Sequence, residues 1–566
     1  MIKEEILETF EGIADILQIK GEDTGKVKMY RNLAITLSYT LPEEILPPFD
    51  RTIIENIRGI GPATIEKIEE LANTGKCQYY EDLKASVPSG VLDLMSISGV
   101  GPSTAAKLYQ ELNIDSLESL RQALDDQRLR NLKGMGKKTE EKIRSGLEAL
   151  LRHKQLRLTG YVLPDVLSLV SSIAPLCSNI AIVGDLRRMT ETIRKAQILI
   201  SCQDRMALQK ALADMDLVME VHSGWSDSGG SAQIAGDVEV EFNIVRQDDF
   251  GAAQVFFTGA VDHVNELNSL AKSYSLDPID AQNSPAWSIM KSEEDIYKSL
   301  GLPFIVPELR EGMGEIQAAL AGQIPDLIQP GDIRGELHAH STWSDGHQSM
   351  EEMARAALDR GYEYIAFCDH SASSKIANGL DIERILNKMI ELREINEKMD
   401  IEILMGAEVD ILKDGNLDYP DEILEKLDIV IASIHSGFHL DEATVTKRII
   451  SAIENRFVNV FGHPTGRLLA RRDPYAVNMD AVIDAAAENN RALEINSYPD
   501  RLDLKDTHAR KAKERGVMMA INTDAHSIAD LGFMEYGIYT ARRGWVEKRN
   551  VLNTLPLVEL MRWLNK

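Results

Sequence analysis

Cysteine is scarce in this chain of 566 residues: there are four, Cys77, Cys177, Cys202 and Cys368, and no two form a CxxC pair. That spacing argues against a disulfide scaffold and thiolate zinc sites, and it fits a reducing cytoplasm. Also missing is any apolar run of bilayer-spanning length, so no membrane role is expected. The acidic start MIKEEILETF lacks the basic stretch of a secretory signal. Positive charge is in deficit as well. Lys and Arg number 62 against 89 Asp and Glu, a net of −27, which taken alone argues against nucleic acid.

The deficit is uneven. Residues 1–160 carry 22 Lys and Arg against 25 Asp and Glu, residues 161–330 carry 11 against 24, and the rest carry 29 against 40. Only the first part can meet phosphates without strong repulsion. The length predicts three or more domains, and a composition of 44% hydrophobic and 27% charged residues is that of a folded protein.

A short motif recurs three times in the first part. It reads Gly59-Ile60-Gly61-Pro62, then Gly99-Val100-Gly101-Pro102, then Gly134-Met135-Gly136-Lys137, each opening a helical pattern. Paired glycines allow a tight turn and leave the amides at a helix start open to a phosphate. The motif resembles the helix-hairpin-helix, which grips the DNA backbone without reading sequence. One copy alone would be no more than a glycine turn between packed helices. Three make Gly59, Gly61, Gly99, Gly101, Gly134 and Gly136 candidate DNA contacts.

Past residue 160 the runs IAIVG, AQILI and VEVEFNIV read as strands, and Pro325 to Pro330 and on to Gly335 reads as a linker. From residue 335, seven short apolar runs alternate with helical stretches: GELHA, YIAF, ILMGAEV, DIVIASI, VNVF, ALEIN and VMMAIN. That alternation predicts a parallel barrel with its active site at the C-terminal strand ends.

Nine of the 12 histidines lie beyond residue 337, most of them directly after one of these strands. His338 and His340 are two apart and so share a strand face, and Asp524 and His526 repeat that spacing. Between them come Asp345, His370, Glu408, His435 and His463. A His/Asp/Glu set without cysteine suits Zn, Mn or Fe. Cys368 reads as a small buried strand residue.

The blocks GELHAHSTWSDG, DHS, GAEVDILKDG, SIHSGF, FGHPTGRLL, LEINSYPDRLDL and TDAHS resemble the PHP (polymerase and histidinol phosphatase) domain appended to bacterial family X DNA polymerases. Upstream, GEDTGKVKMYR, the glycine hairpins, GDLRR, FFTGA and PELREGMGEI also have counterparts in that family. The resemblance implies three divalent transition-metal ions, Mn or Zn with Fe as a further option, in a distorted (β/α)7 barrel. In that assignment His338, His340, Glu408 and Asp524 hold one ion. Glu408 bridges to a second ion bound by His435 and His463, and Asp345, His370 and His526 hold the third. Glu408, Asp524 and His435 are expected to carry catalysis, since such ions lower the pKa of water from ~15.7 towards ~7. Glu336 stands where the family usually has Asp and is not a ligand in this assignment. Arg467 and Arg501 are candidates to clamp a phosphate, with rim salt bridges as the alternative.

A family X polymerase holds two metal ions with three aspartates, two of them in a D-x-D. Here those two positions are Lys195 and Gln197, the third is Glu241, and the serine for the triphosphate is replaced by Asp185. One acid cannot bind two divalent ions, and a positive charge ~4 Å from such an ion costs roughly 8 kcal/mol at an effective dielectric near 20. The rival D-x-D of Asp214 and Asp216 ends a helical stretch and is set aside, so the polymerase site is expected to be inactive. Lys67 aligns with a lysine that forms a Schiff base with abasic sugar in some members. A solvated helix-face lysine is the preferred reading.

The sequence therefore predicts a multidomain chain. An α-helical helix-hairpin-helix region spans residues 1–155, and an α+β degenerate nucleotidyltransferase palm and thumb spans 156–320. A linker over 321–334 then leads to the PHP barrel at 335–566. The expected activity is cytoplasmic, metal-dependent hydrolysis of DNA ends, as a 3′–5′ exonuclease or in 3′-end processing, with DNA as partner and a monomer favoured. The alternatives are a small-molecule phosphomonoesterase and a DNA-binding scaffold with a vestigial cluster.

Overall fold

The computed structural model describes residues 3–41, 49, 51–55, 60–97, 99–280, 287–288 and 290–565. They fall into two compact units, Met1–Lys154 and Gln155–Lys566.

The first unit is helical throughout its described residues. Apolar residues three and four apart, as in Ile6, Phe10, Ile13 and Leu17 of the helix Lys3–Ile19, form a stripe. That stripe is buried in a core with Leu37, Ile68, Leu108 and Ile143 from later helices. The helices Pro62–Thr74 and Pro102–Leu112 each begin with proline at the first helical position, where its missing N–H costs nothing.

The second unit opens with strands β1 (Arg157–Leu158), β2 (Asn179–Val183), β3 (Thr192–Ile193), β4 (Ala196–Ser201), β5 (Val218–Val221), β6 (Gly229–Ile234) and β7 (Val238–Ile244). β1 and β3 pair with each other, and the rest form one sheet in the order β2-β4-β7-β6-β5. Only β4 and β7 run parallel in that sheet. Along β7, Val238, Val240, Phe242 and Ile244 are buried while Glu241 and Asn243 lie on the other face, the alternation expected of a sheet covered on one side.

Two expectations need correction. The stretch Thr159–Leu176 is long and apolar enough to cross a bilayer. In this fold it begins with the helix Thr159–Ile173, whose Val162, Val166, Leu169 and Ile173 are buried in the core that also holds Ile198, Ile200 and Phe242 of β4 and β7. The expected linker 321–334 is anchored to the fold at Leu327, Ile328 and Ile333, which are buried, rather than free along its length. Ile328 is fully buried, its amide donates to the Val546 carbonyl at 3.1 Å, and its carbonyl accepts from Arg542 at 2.9 Å.

The barrel follows as β8 (Gly335–Ala339), β9 (Tyr364–Phe367), β10 (Glu402–Asp410), β11 (Ile429–Ser433), β12 (Val460–Phe461), β13 (Ala492–Asn496) and β14 (Met519–Asn522), in sequence order and all parallel. One core takes a residue from every strand, among them Leu337, Tyr364, Leu404, Ile429, Val460, Ala492 and Ala520, and is stoppered by Leu560 and Leu564 of the last helix. The connecting helices share a second core with the outward residues Ile365, Phe367, Val430 and Ala432. The period of two therefore separates inside from outside. β14 returns beside β8 through a bridge between Ala339 and Ala525. There the Asn553 side chain accepts from the Ile521 amide and donates to the Gly335 carbonyl. The barrel is thus nearly closed.

Candidate metal centre

The inward face is apolar at one end of the barrel and polar at the other. In β9 the series Tyr364, Ala366, Cys368 ends at His370, and in β10 Leu404 and Gly406 lead to Glu408. β11 gives His435 and β14 gives Asp524 by the same count from Ile429 and Ala520. Burial pushes the Cys368 thiol up to about 12, so it stays a neutral core residue.

All nine singled-out histidines and acids meet at this polar end. Glu408 lies at the centre. One of its oxygens is 2.9 Å from His463 Nε2 and 3.3 Å from His435 Nε2, and the other is 2.9 Å from His370 Nδ1 and 3.7 Å from His338 Nε2. Asp524 Oδ1 is 3.0 Å from His340 Nε2 and 3.7 Å from His338 Nε2. Asp345 gathers His340, His370 and His526 at 3.8, 3.5 and 3.4 Å. Three groups have metal-compatible spacing: His340, Asp345, His370 and His526; His338, His340 and Asp524; and His370, Glu408 and His435. His340 and His370 each face two groups, whereas the assignment implied by resemblance gives each to one ion.

The donor set suits divalent transition metals. His338 Nε2, His340 Nδ1 and Asp345 Oδ1 are buried without a hydrogen-bond partner, and each lies within 4 Å of another member of the cluster. Burial pushes the Glu408 carboxyl up, but the imidazoles of His435, His370 and His338 hold it well below the usual range. Backbone strain accompanies the site: Asp524 has φ +54° and His463 φ +27°, in a region that non-glycine residues seldom adopt.

Buried carboxylates orient these side chains, and the motif reading passed over two of them, Glu494 and Asp410. Glu494 accepts from His338 Nδ1 at 2.7 Å, from the His463 amide at 2.7 Å and from Asn522 at 2.9 Å. Asp410 is 2.6 Å from His435 Nδ1. Glu336 accepts from the His338 amide and from the amide and hydroxyl of Thr523, tying β8 to β14. Burial pushes the Glu336 carboxyl up to about 7 against the pull of those donors. A signal for Asp410 and Glu494 was present, since each lies on an inward strand position otherwise expected to be apolar.

The two arginines part company. Arg501 is about one-fifth exposed, and its Nε lies 3.6 Å from Asp524 Oδ2. Arg467 is buried and committed elsewhere: it grips Glu191 with two nitrogens, at 3.0 and 2.5 Å, and donates to the carbonyls of Arg501 and Leu502. The expectation that it clamps substrate gives way to a structural role, because no guanidinium edge is left over.

In the five-stranded sheet Gln197 is in register with Glu241. Gln197 donates to Glu241 at 2.7 Å, and Lys195 Nζ pairs with the same oxygen at 2.8 Å. The three positions that the resemblance aligns with the polymerase metal ligands thus converge on an ion pair. Asp185 pairs with Arg188 at 2.5 Å. Asp214 and Asp216 are exposed before the edge strand β5, with β6 between them and Glu241's strand.

In the helical unit, Gly99 and Gly134 have φ of +92° and +85°, which a side chain would strain. A Cβ on Gly61, Gly101 or Gly136 would meet nothing within 4 Å. Packing therefore does not require those three glycines, and their bareness opens backbone amides to an approaching group. Lys142 passes beside Gly99, and Lys107 beside Gly134, donating to the Lys133 carbonyl at 3.1 Å. Each lysine lies six residues past the second glycine of its own hairpin and flanks the other hairpin. Gly59 lies outside the described residues. Lys67 donates to the Ala63 carbonyl of its own helix and lies 4.8 Å from the Tyr79 ring centroid.

Seven parallel strands around a polar His/Asp/Glu end define a hydrolytic domain of the PHP class, the metal-dependent phosphoesterases. The family model described as PHP domain matches residues 336–498. Models for a helix-hairpin-helix domain, a SAM-like helix-hairpin-helix tandem and a DNA polymerase beta thumb match residues 1–77, 91–149 and 253–311. The chain is 36% identical to the DNA polymerase/3′-5′ exonuclease PolX of Bacillus subtilis, over all of both chains. A "Probable phosphatase" of Thermoanaerobacter sp. is 34% identical over 39% of this chain and 89% of its own, and one of Caldicellulosiruptor bescii is 32% identical over 35% and 82%. The chain belongs to the PolX family, the family X DNA polymerases that carry a PHP domain, and its hairpin and thumb domains imply DNA binding.

Proposed function

We propose that this chain hydrolyses phosphodiesters at the 3′ ends of DNA, as an exonuclease or end-processing enzyme, and that its polymerase core adds no nucleotides. The observation that carries the reading is the coexistence, in one chain, of a nine-residue ligand cluster and bare glycine hairpins. His338, His340, Asp524, Glu408, His435, His463, Asp345, His370 and His526 would hold two to three ions, with Glu408 and the two-faced His340 and His370 shared between them. Bound there, such ions supply Lewis acidity and an activated water at neutral pH. The chain's own part is orientation. Glu494 and Asp410 keep the Nδ1 protons of His338 and His435, which leaves each Nε2 lone pair facing the cluster. Arg501 offers a guanidinium beside Asp524 for a non-bridging phosphate oxygen.

The test is an assay of Mn-loaded protein on labelled primer–template with and without nucleotides. Shortening from the 3′ end and no extension are expected, because Lys195 neutralises the one remaining acid of the polymerase triad. Extension that disappears when Asp214 or Asp216 is changed would show that the triad lies elsewhere. A second reading, a phosphomonoesterase, draws on the probable phosphatases that match the barrel alone. It would show as removal of a 3′-phosphate with the phosphodiesters left intact.

Residues 1–154 have a core of their own and are expected to bind DNA weakly and without sequence preference. Their affinity should fall steeply with salt, because phosphate contacts release counterions. Fluorescence anisotropy across salt concentrations measures the slope, and a flat slope would overturn the docking role. Borohydride trapping on an abasic 5′-phosphate should yield little adduct, and whatever forms should vanish in Lys67→Ala.

A further inference from the structure

The loop between β13 and the helix Asp506–Glu514 carries Arg501 to the mouth of the cluster, and residues from the degenerate polymerase region hold that loop. It is closed by the Asn496–Asp503 bridge and turns through the Arg501 amide, which donates to the Tyr498 carbonyl at 2.8 Å. On its outer side the Tyr161 hydroxyl donates to Asp500 Oδ2 at 2.5 Å. Gly160 packs so closely on Pro499 that a Cβ there would come within 2.7 Å of the proline ring. On its inner side Glu191 grips Arg467 with both oxygens, and Arg467 Nε in turn donates to the Arg501 carbonyl at 2.9 Å. A continuous polar chain therefore runs from Glu191 through Arg467 to the backbone of Arg501. The Arg501 side chain then reaches within 3.6 Å of Asp524.

We infer that Glu191 and Tyr161 are positioning residues for the hydrolytic site, holding Arg501 where it meets the phosphate of a DNA end. Arg501 is the group that contacts substrate, and Glu191 and Tyr161 act through its loop. A bidentate carboxylate–guanidinium pair fixes direction as well as distance, and a loop clamped on both sides does not have to be ordered when substrate arrives. The inference gives the polymerase region a task that needs no polymerase chemistry, and it rests on the hydrolytic reading above.

The test uses the full chain. Glu191→Ala and the milder Tyr161→Phe should raise KM for a 3′-labelled oligonucleotide, by about tenfold for Glu191→Ala. The kcat should stay within about twofold and metal content should not change. Arg501→Ala should raise KM at least as much, and the double variant Glu191→Ala/Arg501→Ala should be no worse than Arg501→Ala alone, since two residues acting through one contact are not additive. Hydrogen exchange supplies an arm independent of activity: the amides of Leu469 and residues 501–503 should exchange faster in Glu191→Ala. Additive losses, or unchanged exchange at those amides, would overturn the inference. A wild-type protein inert towards DNA would sink the hydrolytic reading and leave the exchange arm to decide this one.

Discussion

Asp524→Asn should leave the fold intact and lower hydrolysis of DNA ends by roughly a thousandfold or more, about 4 kcal/mol of transition-state stabilisation. The change removes one negative charge and almost no volume. The charge is central: Asp524 lies within 4 Å of His338, His340, His526 and Arg501, and the three imidazoles hold its carboxyl well below the usual range despite burial. Elemental analysis of the wild type should find two to three transition-metal ions per chain. Glu408→Gln should lose more of them than any other single change, because Glu408 contacts more of the histidines than any other acid in the cluster. Changes at Lys195 or Gln197 should leave hydrolysis as it was, which separates the two centres. Full activity in Asp524→Asn, or DNA degradation by metal-free protein, would refute the assignment.

Lys388→Met should destabilise the barrel by about 3–5 kcal/mol, the typical effect of removing one partner from a buried ion pair. Lys388 is fully buried, lies 2.7 Å from Asp369, and also donates to the Phe367 and Gly406 carbonyls of β9 and β10. Asp369 in turn accepts from Ser341 and Ser344, which follow His340 in the chain. Burial pushes its carboxyl up, and Lys388 with those serines pulls it below the ordinary value. Methionine matches the stem of lysine but leaves Asp369 charged and alone. Thermal unfolding should shift down by several degrees, and Lys388→Met/Asp369→Asn should recover part of the loss. An unchanged midpoint for Lys388→Met would show that the pair contributes nothing net.

The cluster was legible because most of its residues stand where an apolar strand ends, and because a spacing of two, as in His338 and His340, is the period of a strand. The groups that orient them were not. Glu494 reads as an ordinary acid until β13 is placed near β8, which brings it to a histidine 156 residues earlier. Arg467 misled for the same reason: its closeness in sequence to His463 suggested phosphate, while its partner Glu191 lies 276 residues away. Lys195, Gln197 and Glu241 were singled out one by one, by resemblance. That Lys195 and Gln197 would both turn to Glu241 depended on the β4–β7 register. That 321–334 is anchored at Ile328 was not legible, because proline and glycine mark turns whether or not a turn is free.

β8 and β14 meet through one backbone bridge, the Asn553 side chain and the Glu336 carboxylate, where neighbouring strands elsewhere in the barrel pair through backbone ladders. His338 and His340 stand on one lip of this seam, and Asp524 and His526 on the other. An ion held across it would act as a rivet, its binding free energy adding to the closure of the barrel as well as to chemistry. Chelation would then lower thermal stability together with hydrolysis. A cell short of metal would lose not only the activity but, through this seam, the protein itself.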